Sequence, residues 1–179
     1  MRKKILVISS SPRKGGNSDL LSDQFVSGAL EAGHLTEKIS LREKNINYCT
    51  GCGTCVSKKN GCSQKDDMAE LLHKMIDADV IVMATPVYFY TMCGQMKTFI
   101  DRTCARYTEI IDKNFYFLIT AADNNKTALS RTIEEFRGFT LCLNGAKEKG
   151  IIYGTGAWNK GDIKKGNAMQ IAFEMGKAI

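Results

Sequence analysis

The chain has 179 residues, 44% hydrophobic and 25% charged, and carries a net charge of +6 from 25 lysines and arginines against 19 acids. That size supports a single domain, residues 1–179, with a core that needs no staple. The longest unbroken apolar run, Val80 to Ala84, is far short of the ~20 residues of a membrane helix, so no membrane partner is expected. The basic residues are dispersed, which argues against nucleic acid and suits an anionic small molecule.

The opening stretch MRKKILVISSSP imitates a signal peptide, but its apolar part, Ile5 to Ile8, is too short for an h-region and reads as a strand. A cytoplasmic location follows as the expectation, with thiols kept reduced. Lys4 to Ser9 is the first strand, apolar enough to be buried on both faces of a parallel sheet. Asn17 to Ala32 is a helix, with Leu21, Phe25, Val26, Ala29 and Leu30 along one side. A weaker strand is predicted over Leu35 to Leu41. Met68, Leu71, Leu72, Met75 and Ile76 then recur at helical spacing, with Asp67 and Glu70 as a capping pair.

Ala78 to Ala84 is the most convincing buried strand, and a helix carrying Met92, Met96, Phe99 and Ile100 follows it. Asn114 to Ala121 is the next strand. Leu129, Ile133, Phe136 and Leu143 mark a long helix, Gly150 to Tyr153 a fifth strand, and a last helix is predicted from about Asp162 to Gly176. Alternation of this kind makes an α/β protein with a doubly wound parallel sheet. Ligands of such sheets bind beyond the carboxyl ends of the strands.

Three loops at those ends have unusual composition. Ser9 to Ser18 (SSSPRKGGNS) brings hydroxyls, two glycines, Arg13 and Lys14 to a helix start, where free N–H groups and the helix dipole favour a phosphate. An ordinary N-cap needs only one such residue, Asn17 or Ser18. The stretch is neither a P-loop nor a GxGxxG fingerprint. Gly154-Thr-Gly156-Ala-Trp-Asn159 begins like GxGxxG but lacks its third glycine. It reads as a loop near the ligand, with Trp158 as a lid. Thr85 to Gly94 (TPVYFYTMCG) sets three consecutive aromatics at a strand exit, and some of them must face the cleft.

SSPRKGGNS, ATPVYFYTMCGQMKTFIDR and the cysteine-rich loop before Asp66-Asp-Met68 together resemble the NADPH-dependent FMN reductase family, in its iron–sulfur flavoprotein branch. The resemblance covers essentially the whole chain. It implies a flavodoxin-like fold, a five-stranded parallel sheet in order 2-1-3-4-5 with helices on both faces. It implies FMN, with the phosphate on Ser11, Arg13, Asn17 and Ser18 and the isoalloxazine on Pro86, Val87, Tyr88 and Phe89. Thr120 and Ala121 would line the other side. Homodimers or homotetramers are also implied. Ser10 departs from the family pattern, which often has glycine there.

Cys49, Cys52, Cys55 and Cys62 fall in one fourteen-residue loop, spaced C-x2-C-x2-C-x6-C. Compact thiolate sets suit a [4Fe–4S] cube. Structural zinc favours two separated knuckles, and Gly51 and Gly53 oppose the helix start that a thioredoxin-type pair needs. A loop that packs beside the flavin and binds nothing stays open beside the cluster. Cys93, Cys104 and Cys142 read as small buried residues.

The resulting expectation is an enzyme that moves electrons from NAD(P)H through FMN to an acceptor: a flavin, a quinone, a nitro- or azo-compound, or a cluster. No catalytic side chain is expected, because the cofactor carries the chemistry. The alternative is an electron-transfer carrier, an iron–sulfur flavoprotein or flavodoxin type without its own NAD(P)H activity. A ligand-sensing module is a third reading.

Overall fold

The computed structural model describes residues 1–57 and 61–179. Five parallel strands form the sheet: β1 (Lys4–Ser9), β2 (Leu35–Ser40), β3 (Val80–Tyr88), β5 (Asn114–Thr120) and β6 (Lys147–Gly154). Their order is β2-β1-β3-β5-β6. That is the expected flavodoxin-like order, with one addition: the two-residue strand β4 (Thr91–Met92) pairs antiparallel with the end of β3. The helices are α1 (Asn17–Glu31), the single turn α2 (Thr54–Ser57), α3 (Met68–Asp77), α4 (Gly94–Arg102), α5 (Ser130–Leu141) and α6 (Ala168–Lys177).

Strand alternation divides the core into two layers. Ile5, Val7, Val80, Val82, Ala84 and Leu118 point to the face covered by α1 and α6, where they meet Leu21, Phe25, Ala29 and Ala172. Leu6, Ile8, Ile81, Met83, Phe115 and Phe117 point the other way, onto Leu72 and Met75 of α3, Met96 and Phe99 of α4, and Phe136 of α5. Phe117 and Phe136 stack with ring centroids 4.8 Å apart.

The boundaries that differ from expectation have local causes. Strand β3 runs four residues past Ala84 because Pro86, which donates no N–H, still lies in register with Thr120. The Asp67–Glu70 capping pair does not form. Asp66 Oδ1 accepts the Met68 N–H at 3.2 Å, while Asp67 Oδ2 accepts the Asn45 N–H at 2.7 Å. Met92 belongs to β4, so α4 starts only at Gly94, and the stretch from Asp162 is a 3₁₀ turn that precedes α6.

Helices α1 and α6 cross with backbones nearly touching. A Cβ built on Gly28 would lie 1.9 Å from the Phe173 carbonyl oxygen, and one on Gly176 would lie 2.2 Å from that of Phe25. Both obstacles are backbone, so neither can swing aside. Gly28→Ala is therefore expected to destabilise the fold by about 2 to 3 kcal/mol through overpacking. At this chain length that lowers the melting temperature by roughly 4 to 12 °C. Thermal unfolding followed by circular dichroism checks this, and an unchanged midpoint would contradict the close crossing.

Candidate cofactor site and cysteine site

Strand β1 delivers the chain into a loop, Ser10 to Gly16, that ends at the start of α1. Gly16 takes the N-cap position with extended backbone and makes no side-chain cap. The first N–H groups of α1 are therefore left without a side-chain acceptor, which is an anion-binding arrangement. Ser18 Oγ is buried and has no hydrogen-bond partner among the described residues. Ser11 is buried, its Oγ donating to the Arg13 carbonyl at 3.0 Å. The bare Gly16 completes a close cradle, since a Cβ there would lie 2.6 Å from Ser11 Oγ.

Asp19 holds this loop from beneath. Its carboxylate accepts the Gly15 N–H at 2.8 Å and the Ser9 hydroxyl at 3.3 Å, and it pairs with Lys38 at 2.6 Å and Arg42 at 3.2 Å. Burial pushes the Asp19 carboxyl up. The Lys38 and Gly15 hydrogen bonds and the two cations outweigh it, leaving the group below its ordinary range. Gly15 can turn through φ 64° only because it has no side chain to clash. Ser10 turns its hydroxyl inward to donate to the Ala84 carbonyl at 2.9 Å.

Beneath the same loop the buried Cys93 thiol donates to Ser10 Oγ at 3.1 Å, and the Cys93 N–H donates to Thr85 Oγ1 at 3.1 Å. This thiol ties the first loop to the β3–β4 hairpin.

The hairpin turns on Phe89 and Tyr90, both left-handed at φ 52° and 62°. Such turns ordinarily use Asn and Gly, and each bulky residue there costs on the order of 1 to 2 kcal/mol. Tyr90 is fastened in place: its hydroxyl donates to Asp123 at 3.0 Å, and its carbonyl accepts from Thr132 at 2.9 Å. The Phe89 ring is left 99% exposed. Strain combined with an exposed aromatic is a mark of a working surface.

All ten residues expected around the flavin line one cavity of about 430 Å³: Ser11, Arg13, Asn17, Ser18, Pro86, Val87, Tyr88, Phe89, Thr120 and Ala121. Gly16, Ala122, Ala157 and Trp158 line it too. Asn17 differs from a simple phosphate donor. Its side-chain amide donates to the Ala157 and Asn159 carbonyls at 3.0 and 2.9 Å, and its Oδ1 accepts the Gly161 N–H at 2.9 Å. It locks the loop after β6 against the start of α1. The sequence offered no sign of these partners, which lie 140 to 144 positions away.

The residues fit a flavin phosphate and ring. An orphan hydroxyl, an uncapped helix start, Arg13 and the segment Pro86 to Phe89 all border the same cavity.

The cysteine loop lies elsewhere. No described residue of it lines the cavity, so the expectation of a loop packed beside the flavin is not met within one chain. It sits at the other end of α4, whose nine residues span roughly 13 Å. Arg102, the last residue of α4, clamps the loop. Its guanidinium donates to the Asn47 carbonyl at 2.7 Å, to both oxygens of Asp66 at 2.6 and 2.9 Å, and to Cys62 Sγ at 3.4 Å.

Cys104 and Cys142 are exposed rather than buried, contrary to expectation. Cys142 ends α5 on its solvent side. Cys104 sits on the turn just past Arg102, which packs on α2, the turn that carries Cys55. It is thus a fifth thiol beside the loop, and desolvation followed by the Cys55 thiol raises it above its ordinary range. Cys52 points away toward Ser63 at 3.6 Å, and hydrogen bonds led by Thr54 bring its thiol down to about 6.

Among the described residues no three His, Cys, Asp or Glu side chains gather closely enough to hold a single ion. A four-iron cube poses a different requirement, because each thiolate binds its own iron and four sulfurs ring the cube. Soft thiolates are the right donors for it. Gly51, Gly53 and Gly61 turn the backbone through φ 66°, 67° and 77°, left-handed values that favour glycine. The donor chemistry fits a cluster.

Residues 3–137 match the family model for NADPH-dependent FMN reductase. An iron–sulfur flavoprotein of Methanocaldococcus jannaschii is 33% identical over 91% of this chain and 85% of its own length. One from Archaeoglobus fulgidus is 44% identical over 55% of this chain and 44% of its own length. The chain spans about half the length of the first curated relatives that it matches. A solved NAD(P)H:quinone oxidoreductase from Methanothermobacter marburgensis shares the fold, with a TM-score of 0.81 and 14% identity over 99% of this chain and 96% of that one. The chain belongs to the NADPH-dependent FMN reductase family.

Proposed function

We propose that the chain is an FMN-dependent oxidoreductase that draws electrons from NAD(P)H and passes them to an acceptor. The acceptor classes are a free flavin, a quinone, a nitro- or azo-compound, or an iron–sulfur cluster. The observation that carries this reading is the Ser18 Oγ, without a partner among the described residues, at the uncapped start of α1, in a cavity also lined by Tyr88 and Phe89. Ser11, Arg13, Ser18 and the Asn17 N–H would hold the phosphate. Pro86 to Phe89 would support one face of the ring, with Thr120 and Ala121 opposite.

Bound FMN supplies the redox chemistry, accepting a hydride and releasing electrons. The chain's own work is to bind, to orient and to leave one ring face open to the nicotinamide. Arg13 and Tyr88 are the only titratable side chains on the cavity wall among the described residues, so no acid–base pair is built there. Trp158, 75% exposed at the rim, is placed to shield the site from water.

A second reading has its own support in the thiols. Cys49, Cys52, Cys55 and Cys62 would hold a [4Fe–4S] cluster, and the chain would then serve as an iron–sulfur flavoprotein that carries electrons. A homodimer or homotetramer belongs to either reading, supported by the bare Phe89 ring beside the cleft. So does a cytoplasmic setting, which suits seven free thiols. No helix among the described residues is long and apolar enough to cross a membrane.

Three measurements test these readings. Arg13→Ala combined with Ser18→Ala removes charge-assisted contacts worth about 1.5 to 3 kcal/mol each to an anion. FMN affinity should fall at least tenfold (about 1.4 kcal/mol), while riboflavin affinity barely moves. Equal losses for both flavins would place the phosphate elsewhere. Anaerobically prepared protein should bleach its flavin bands rapidly with NADPH if it is a reductase. Bleaching by reduced ferredoxin alone would favour the carrier, and about four irons per chain with matching sulfide would establish the cluster.

A further inference from the structure

The Arg102–Asp66 pair is the most deeply buried ion pair among the described residues, each side chain only 1% exposed. Its geometry is a fork, with Nη1 on Oδ2 at 2.6 Å and Nη2 on Oδ1 at 2.9 Å. Asp66 is held well below the ordinary carboxylate range, chiefly by the Arg102 hydrogen bond, so the pair is fully charged at neutral pH. A buried pair contributes little net stability over an apolar filling of the same shape, and its retention at one spot asks for another role. One arm of the fork supplies it: Nη2 also donates to Cys62 Sγ at 3.4 Å.

We infer that Arg102 and Asp66 set the reduction potential of an iron–sulfur cluster held through Cys62. The inference rests on the cluster reading of the cysteine loop and adds the chain's own means of tuning it. One electron added to such a cluster places one more negative charge beside the guanidinium. A hydrogen bond to a ligating sulfur, or a nearby buried cation, stabilises that reduced state and raises the potential. Asp66 works in the opposite direction, because its carboxylate offsets the Arg102 charge. In a water-poor setting both effects are stronger than at the surface. The two residues therefore act with opposite sign, which distinguishes tuning from simple scaffolding.

The experiment uses the full chain prepared anaerobically with its iron, comparing wild type, Arg102→Lys and Asp66→Asn. Lysine keeps a cation for Asp66, but its single ammonium cannot also reach Cys62 Sγ. Iron and FMN per chain are measured first, then the cluster midpoint by a redox titration followed with electron paramagnetic resonance. The midpoint should fall in Arg102→Lys and rise in Asp66→Asn, with iron and FMN unchanged. Equal midpoints, or shifts in the same direction, would overturn the inference. Loss of iron in both variants with FMN retained would make the pair a scaffold only, and would overturn it too. Wild-type protein with FMN and no iron would instead remove the cluster reading, and the inference with it.

Discussion

Helix α1 begins at Asn17, beside a cavity, with no side-chain cap and a buried Ser18 hydroxyl that has no partner among the described residues. A buried unpaired hydroxyl costs about 1 to 3 kcal/mol, and the helix dipole adds a positive end to the same spot. An anion with several acceptor oxygens would relieve all of this together. The surrounding structure is organised to keep that seat open. Asp19 takes the Gly15 N–H and Ser9 hydroxyl from below, Asn17 pins the loop after β6, and Cys93 links the seat to the hairpin beyond β3.

The hairpin completes the site at a cost. Two aromatic residues occupy left-handed backbone, and the tyrosine hydroxyl is spent on Asp123 to hold the turn. What accompanies the strain is an exposed Phe89 ring on a residue that lines the cavity. Helix α4 then leads from this hairpin to the cysteine loop, a span of roughly 13 Å. Arg102 at the far end binds both flanks of that loop, Asn47 before the cysteines and Asp66 after them.

Sequence patterns found what depends on local repetition. The apolar run at Lys4 to Ser9 and the spacing Met68, Leu71, Leu72, Met75 each specify an element, because burial on two faces or along one stripe imposes its own period. The ten cavity residues were also legible, since loop composition at strand ends is a local property. What escaped depends on distant partners. The inward turn of the Asn17 amide is decided by carbonyls at 157 and 159, and the exposure of Cys104 by its place on a turn beside α2. Arg102, in the last turn of an amphipathic helix, looks like an ordinary surface base until Asp66 folds against it. The apolar run that marks β3 ends at Ala84, whereas the ladder goes on through Pro86 opposite Thr120, a pairing that the run itself does not show.

The central claim, that the start of α1 seats the FMN phosphate, is tested most directly by phosphorus NMR of FMN added to the protein. The free phosphate loses its second proton at a pKa of about 6. Hydrogen bonds to the dianion from N–H groups, Ser18 and Arg13 stabilise the charged form and lower that value. The bound resonance should stay fixed from about pH 5 to 8. A bound resonance that titrates with the midpoint of free FMN would show the phosphate in water and contradict the account.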